Sequence, residues 1–176
     1  MRLTCTNPDP GRQRGAALVV GLIFLAMLSL MGVAAYMVAN QEERMSGNTR
    51  DRIRAFEAAE ASLRDCEALL GGFGTLPTFD GTDGMHEAPA FGDAQVYETI
   101  DWRSGSVRVI PTAIPDVSVQ PRCIIERVGE IEVRRLSDAR SGPQEVTIET
   151  VYRVTAMGYG TSPSTAVNLQ TMFRRQ

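Results

Sequence analysis

Three cysteines carry the most reactive side chains in the chain: Cys5, Cys66 and Cys123. An odd count is awkward in an exported protein, but removal of a segment holding Cys5 leaves an even pair. In an oxidising compartment Cys66 and Cys123 could then form a disulfide. Closing a loop of 58 residues would contribute about 4 kcal/mol in the chain-entropy model. The alternative is two unpaired buried thiols. Other reactive groups are sparse. His86 is the single histidine and falls in a Gly-rich stretch, where an exposed, idle side chain is expected. Asp80, Asp83 and Glu87 gather carboxylates, but not at the spacing of a calcium loop. Glu42/Glu43 and Glu130/Glu132 read as solvated faces. There is no Gly-x-Ser-x-Gly elbow, and a phosphate loop ending in Gly-Lys-Ser/Thr is impossible in a chain whose 18 basic residues are all Arg. These patterns predict no enzyme, no cofactor and no metal. A net charge of −3 gives no sign of a nucleic-acid partner.

The element that dominates the sequence is apolar. Residues 16–39 are 24 positions without a charge. As a helix they would run about 36 Å, enough to cross a hydrocarbon core of about 30 Å. Arg12 and Arg14 precede the run and Glu42 and Glu43 follow it, so the N-terminus is expected on the cytoplasmic side. Two cleavage schemes fit. A signal peptidase would cut after the apolar run, for which Val33-Ala34-Ala35 has the small-x-small pattern. The rival cut precedes the run, between Gly15 and Ala16. Gly11-Arg12-Gln13-Arg14-Gly15 before Ala16-Ala17-Leu18 resembles the class III leader of type IV pilins, which a prepilin peptidase cuts after Gly. That cut would remove Cys5, keep the apolar run as an anchor, and leave 15 Arg against 20 acids.

Beyond residue 40 the helical pattern continues. Met45, Thr49, Arg52/Ile53, Phe56, Ala59, Leu63, Cys66 and Leu70 recur in steps of three and four, which predicts an amphipathic stripe. Glu60 and Arg64 stand four apart, acid first, as a surface pair does best. No Pro interrupts 16–70, and Gly71-Gly72 ends the pattern. One helix of about 55 residues and roughly 80 Å is implied, with a bend or local unwinding at Ser46-Gly47-Asn48. Residues 71–93 hold six Gly and read as loop. Strands are expected at 95–101, 106–110, 123–128, 130–136, 145–157 and 166–174. In 145–157, Val146, Ile148, Tyr152, Val154 and Ala156 alternate with Thr147, Glu149, Arg153 and Thr155, one dry face and one wet. The expected fold class is α+β: a long N-terminal helix packed on an antiparallel sheet. The expected organisation is 1–15 leader, 16–40 membrane segment, 41–72 amphipathic half-helix and 73–176 head.

Glu42-Glu43-Arg44-Met45-Ser46-Gly47-Asn48-Thr49-Arg50-Asp51-Arg52, leading to Ala55-Phe56-Glu57-Ala58-Ala59-Glu60-Ala61, resembles the N-terminal signature of the PilX minor pilins. The likeness covers about residues 10–67, and the ending 152–170 is similar more loosely. It implies a pilin-like fold and a structural subunit that helps prime type IV pilus assembly, with twitching motility and adhesion following. Implied partners are minor pilins of the PilV, PilW, PilE and FimU type, a tip adhesin, the prepilin peptidase and the assembly platform. The subunit would wait in the inner membrane and end in the extracellular pilus. Major pilins carry a Glu at the fifth mature position, where this chain has Val20. The resemblance reads that loss as a place at or near the tip, and a tolerated substitution is the alternative. Two rival functions stay open. One is a type II secretion pseudopilin, although the K-type subunit, which also lacks this Glu, usually carries a large helical insertion. The other is a secreted binding module cut near Ala35.

Overall fold

The computed structural model describes residues 13–135 and 145–175. Helix α1 runs Gln13–Gly71, followed by β1 (Met85–Glu87), α2 (Val96–Thr99), β2 (Arg108–Val109), β3 (Arg122–Arg135), β4 (Glu145–Tyr159) and β5 (Ala166–Arg175). The chain divides into two compact units between Gly47 and Asn48. The first unit contains the uncharged part of α1, whose residues from Gly15 to Ala39 are all exposed. The helix does not unwind at Ser46-Gly47-Asn48 as its composition suggested. A single Gly costs about 1 kcal/mol relative to Ala, too little to break a cooperative helix with good formers on both sides.

In the second unit the rest of α1 lies on a five-stranded sheet of order β1-β3-β4-β5, with β2 pairing β3 on a second path. The sheet is mixed. β3, β4 and β5 are antiparallel neighbours and β2 is antiparallel to β3, but β1 is parallel to β3. β1 falls inside the stretch expected to be loop. It forms because Gly84 takes φ +77° and lies so close to the sheet that a Cβ there would stand 2.7 Å from the Cys123 carbonyl oxygen. His86 is consequently half-buried, with Nε2 2.8 Å from the Ser106 carbonyl oxygen, not an exposed loop residue.

The segment 95–101 is not a strand. Val96–Thr99 make one helical turn, opened by Glu98 accepting from the Gln95 N–H at 3.3 Å. The strand expected at 106–110 is reduced to Arg108–Val109. The two strands expected at 123–128 and 130–136 are one, β3, with a register shift between Arg127 and Gly129. Gly129 takes φ +155° there, a bulge that re-aims the strand without ending it. Leu136 lies outside the described residues.

The core is built where α1 meets β3 and β4: Cys66, Leu70, Met85, Cys123, Ile125, Tyr152, Val154 and Ala156. The expected stripe packs only toward its C-terminal end, where Ala59, Cys66 and Leu70 are buried and Leu63 lies against the core, and not at its larger N-terminal members. Ala55, Ala58, Ala59, Ser62, Cys66 and Leu70 are buried, while Ile53 is 51% and Phe56 46% exposed. The cause sits on β4. A Cβ added at Gly158 would stand 2.8 Å from the Ala59 Cα and closer still to the Ala55 carbonyl and the Ala59 N–H. Backbone meets backbone at that crossing, so only small helix residues fit, and Ile53 and Phe56 turn outward.

Candidate functional site

No side-chain constellation in the described residues arranges a nucleophile beside a base, and no group of three His, Cys, Asp or Glu could hold a metal among them. The acids that drew attention in sequence are each engaged separately. Asp80 accepts from the Thr82 N–H and hydroxyl, Asp83 pairs with Arg108 at 3.1 Å, and Glu87 pairs with Arg127. The hydrogen bonds of Thr82 and Thr78 hold the Asp80 carboxyl below the usual carboxylate range, which suits a turn-forming Asp. A cavity of about 590 Å³ opens between the 74–79 loop and the sheet, lined by Phe79, Glu87, Arg127, Tyr152 and Arg175 among others. Its two cations are partly engaged, although Arg175 Nη1 is buried without a hydrogen-bond partner. Arg127 lies on Glu87 and over the Phe79 ring, and Arg175 donates to the Gly72 and Gly74 carbonyls.

The molecule's working features are therefore an apolar helix and a stapled head. Gly15 and Ala16 lie in the first turns of α1, both exposed. Val20, where a carboxylate would be the other option, is 51% exposed. Every large apolar side chain from Leu18 to Val38 is at least 47% exposed. This helix is long and apolar enough to cross a membrane, and a wholly greasy, unburied helix needs lipid or other helices around it.

The head is tied together at three places. Cys66 on α1 and Cys123 on β3 are joined, with Cα atoms 6.6 Å apart and both residues fully buried. At the other end of the packed helix, Asp51 accepts from the Thr161 N–H at 2.6 Å and from the Thr161 hydroxyl, in the turn between β4 and β5. Hydrogen bonds from Thr161 and Thr165 bring the Asp51 pKa down to about 2, since they favour the ionised form. Gly160 leaves the space for this: a Cβ there would stand 2.7 Å from Asp51 Cγ.

The third tie lies on the sheet face away from α1. Glu126 is completely buried and receives two hydrogen bonds from Arg153, Nε at 2.8 Å and Nη2 at 2.9 Å. Gln95 accepts from the same Nη2, and the guanidinium stands 5.3 Å from the Tyr97 ring centroid. The turn α2 thus covers a face that alternation marked as wet, and Thr155 beside it is also fully buried. A buried carboxylate survives only when paired and hydrogen-bonded, and the bidentate guanidinium supplies both. Sequence reasoning missed this tie. Its one local signal was an acid directly after the apolar run Cys123-Ile124-Ile125.

Past the Gly129 bulge the alternation also loses its meaning, for the opposite reason. β5 pairs with β4 only from Thr150 onward, and β1 pairs with β3 only as far as Arg127. Among the described residues the outer parts of β3 and β4 pair only with each other, and Val146 and Ile148 are exposed. The parts of the head are thus built to hold shape and present surfaces.

Comparison with known families agrees with this architecture. Residues 14–64 match the family model described as PilX N-terminal, and residues 65–175 match the one described as Type IV pilus assembly protein PilX C-term. No curated protein and no solved structure matches the chain.

Proposed function

The chain belongs to the PilX family of type IV pilus assembly proteins, and we propose that it works as a membrane-anchored minor pilin near the pilus tip. The observation that carries this reading is the pairing of a two-part family match with an unburied, uncharged helix. In this reading a prepilin peptidase cuts between Gly15 and Ala16, and the mature chain stays in the inner membrane with its N-terminus inside. The head is then periplasmic, an oxidising place suited to the Cys66–Cys123 bond. The segments follow as leader 1–15, membrane helix 16–40, packed half-helix 41–72 and head 73–176.

Val20 supports the tip position. A lone carboxylate in hydrocarbon is costly unless it meets a partner, and a subunit without one cannot offer that bond to the subunit above. Gly21 and Gly32 leave open surface on the anchor, where neighbouring helices could approach closely. Partners would be minor pilins of the PilV, PilW, PilE and FimU type and a tip adhesin, in a complex that primes assembly on the platform. Twitching motility and adhesion would depend on it.

The test is the N-terminal sequence and intact mass of the protein from its host's membrane fraction. A start at Ala16, N-methylated, is expected. A soluble protein starting near Tyr36 would refute the reading. A deletion strain that keeps its pili but loses protein secretion would favour the pseudopilin alternative.

A further inference from the structure

The cavity of about 590 Å³ between the 74–79 loop and the sheet has the size of a ligand site, for which about 300–1,000 Å³ is usual. Part of its lining is apolar: Leu76, Pro77 and Phe79 come from the loop, and the Phe79 ring stacks on Tyr152 with centroids 5.7 Å apart. Another part holds Arg175 and Thr150, which stand directly opposite each other where β5 pairs with β4, so their side chains share a face. Arg175 Nη2 is taken by the Gly72 and Gly74 carbonyls, but its Nη1 is buried and has no hydrogen-bond partner. A buried donor left unpaired is costly and rare in a folded protein. It marks a place for an acceptor.

Charge narrows the choice of acceptor. Arg127 is bonded to both oxygens of Glu87, whereas Arg175 is in no ion pair among the described residues. Two cations and one anion leave the lining at +1. Glu130, opposite Thr150 on β3, acts on Arg127 but is exposed and outside the lining. The Gly72 and Gly74 carbonyls, just past the end of α1, offset part of the Arg175 charge, as carbonyls at a helix C-terminus do for a cation. One negative charge is therefore balanced here, and the two of a phosphate monoester are not. A carboxylate brings one charge and two acceptor oxygens, enough for Arg175 Nη1 and the Thr150 hydroxyl together.

We propose that this cavity binds a carboxylate carried on an apolar body, with the carboxylate on Arg175 Nη1 and the Thr150 hydroxyl and the body against Leu76, Phe79 and Tyr152. Because Nη1 is buried, the loop over it must shift to admit the ligand. Residues 73–80 are free to do so, since they make no main-chain to main-chain hydrogen bond with the rest of the head among the described residues. The carboxylate can belong to a free acid or to an acidic side chain of a partner protein. The proposal does not depend on the pilus reading, because it uses only the head.

The test is titration of the full chain, in mild nonionic detergent at pH 7, with two acids and their neutral counterparts. One acid is 3-phenylpropionate, set against its amide. The other is a capped peptide whose single charge is a central Glu between two Phe, set against the same peptide with Gln. Calorimetry reads affinity, and backbone amide shifts at Leu76, Phe79, Thr150 and Arg175 locate the site. Each acid that binds should do so about tenfold more tightly than its neutral counterpart, the margin of a charged over a neutral hydrogen bond. Binding of the peptide alone would point to a partner protein as the source, and binding of 3-phenylpropionate to a free acid; either supports the proposal. Arg175→Gln should abolish the preference for acid. Because Arg175 also holds the loop, two changes away from the loop give an independent reading. Thr150→Val should weaken the acid about fivefold without lowering the melting temperature. Glu130→Gln should tighten it about threefold, by removing the nearest further anion. Acids that fail to bind, bind no better than their amides, or bind with the same affinity to Thr150→Val and Glu130→Gln would overturn the proposal.

Discussion

Gly158→Ala adds one methyl group, and its effect can be worked out from the crossing of α1 and β4. The new Cβ would stand 2.8 Å from the Ala59 Cα, where carbon atoms prefer about 3.5–4.0 Å. Relief needs roughly 1 Å of movement, and the obstacles are helix backbone, not the end of a flexible side chain. The helix must lift from the sheet or β4 must bow, and either motion loosens Ala55, Ala58 and Ala59 at once. Overpacking typically costs about 1–3 kcal/mol, and a backbone obstacle puts this case at the top, about 3 kcal/mol. At about 4 °C per kcal/mol for a domain of this size, melting should fall by about 12 °C. Gly158 is not among the residues with positive φ, so backbone strain adds nothing. Gly47→Ala is the control: a Cβ there meets nothing within 4 Å, and a mid-helix Gly replaced by Ala should stabilise by up to about 1 kcal/mol. The assay is thermal and urea unfolding of both variants beside the wild type. If Gly158→Ala melts within 2 °C of the wild type, the close crossing is not what selects the small face of α1, and the reasoning fails.

Replacing Cys66 and Cys123 by Ala should cost about 4 kcal/mol, from the loop entropy of a 57-residue separation; urea midpoints of the variant and of the reduced wild type should then coincide. Glu126→Gln should cost about 3 kcal/mol by leaving the Arg153 guanidinium without its anion on a covered face, and Glu126→Gln with Arg153→Met should recover part of that loss in a double-mutant cycle. Asp51 has a folded pKa of about 2 against an ordinary 3.8, so its contribution to stability is present above the higher value and lost as pH falls through the lower. Asp51→Asn should therefore melt below the wild type at pH 6, with the gap closing between about pH 4 and pH 2; a gap that does not change with pH would contradict it.

Some of this protein is written in its sequence because it depends on local quantities. Twenty-four uncharged residues, basic before and acidic after, specify a long apolar helix whatever the rest of the chain does. The pattern of residues 42–61 carries the family, and the 14–64 match lies on that segment. The long hairpin strands were legible as period-two runs, and the surface pair Glu60–Arg64 forms as its spacing implies.

The tertiary structure decided which faces are covered. Hydrophobic periodicity assumes that the largest apolar residues face the core, yet the packed face of α1 is set by Gly158, about a hundred residues away in sequence. Alternation assumes that one sheet face is wet, yet Glu126 and Thr155 are buried on that face and Ile148 is exposed on the other. β1 is three residues long and parallel to a strand almost forty residues later, too short to carry a period of its own. In each case the deciding partner is distant in the chain, and local pattern cannot encode the distance of approach between two surfaces that only folding brings together.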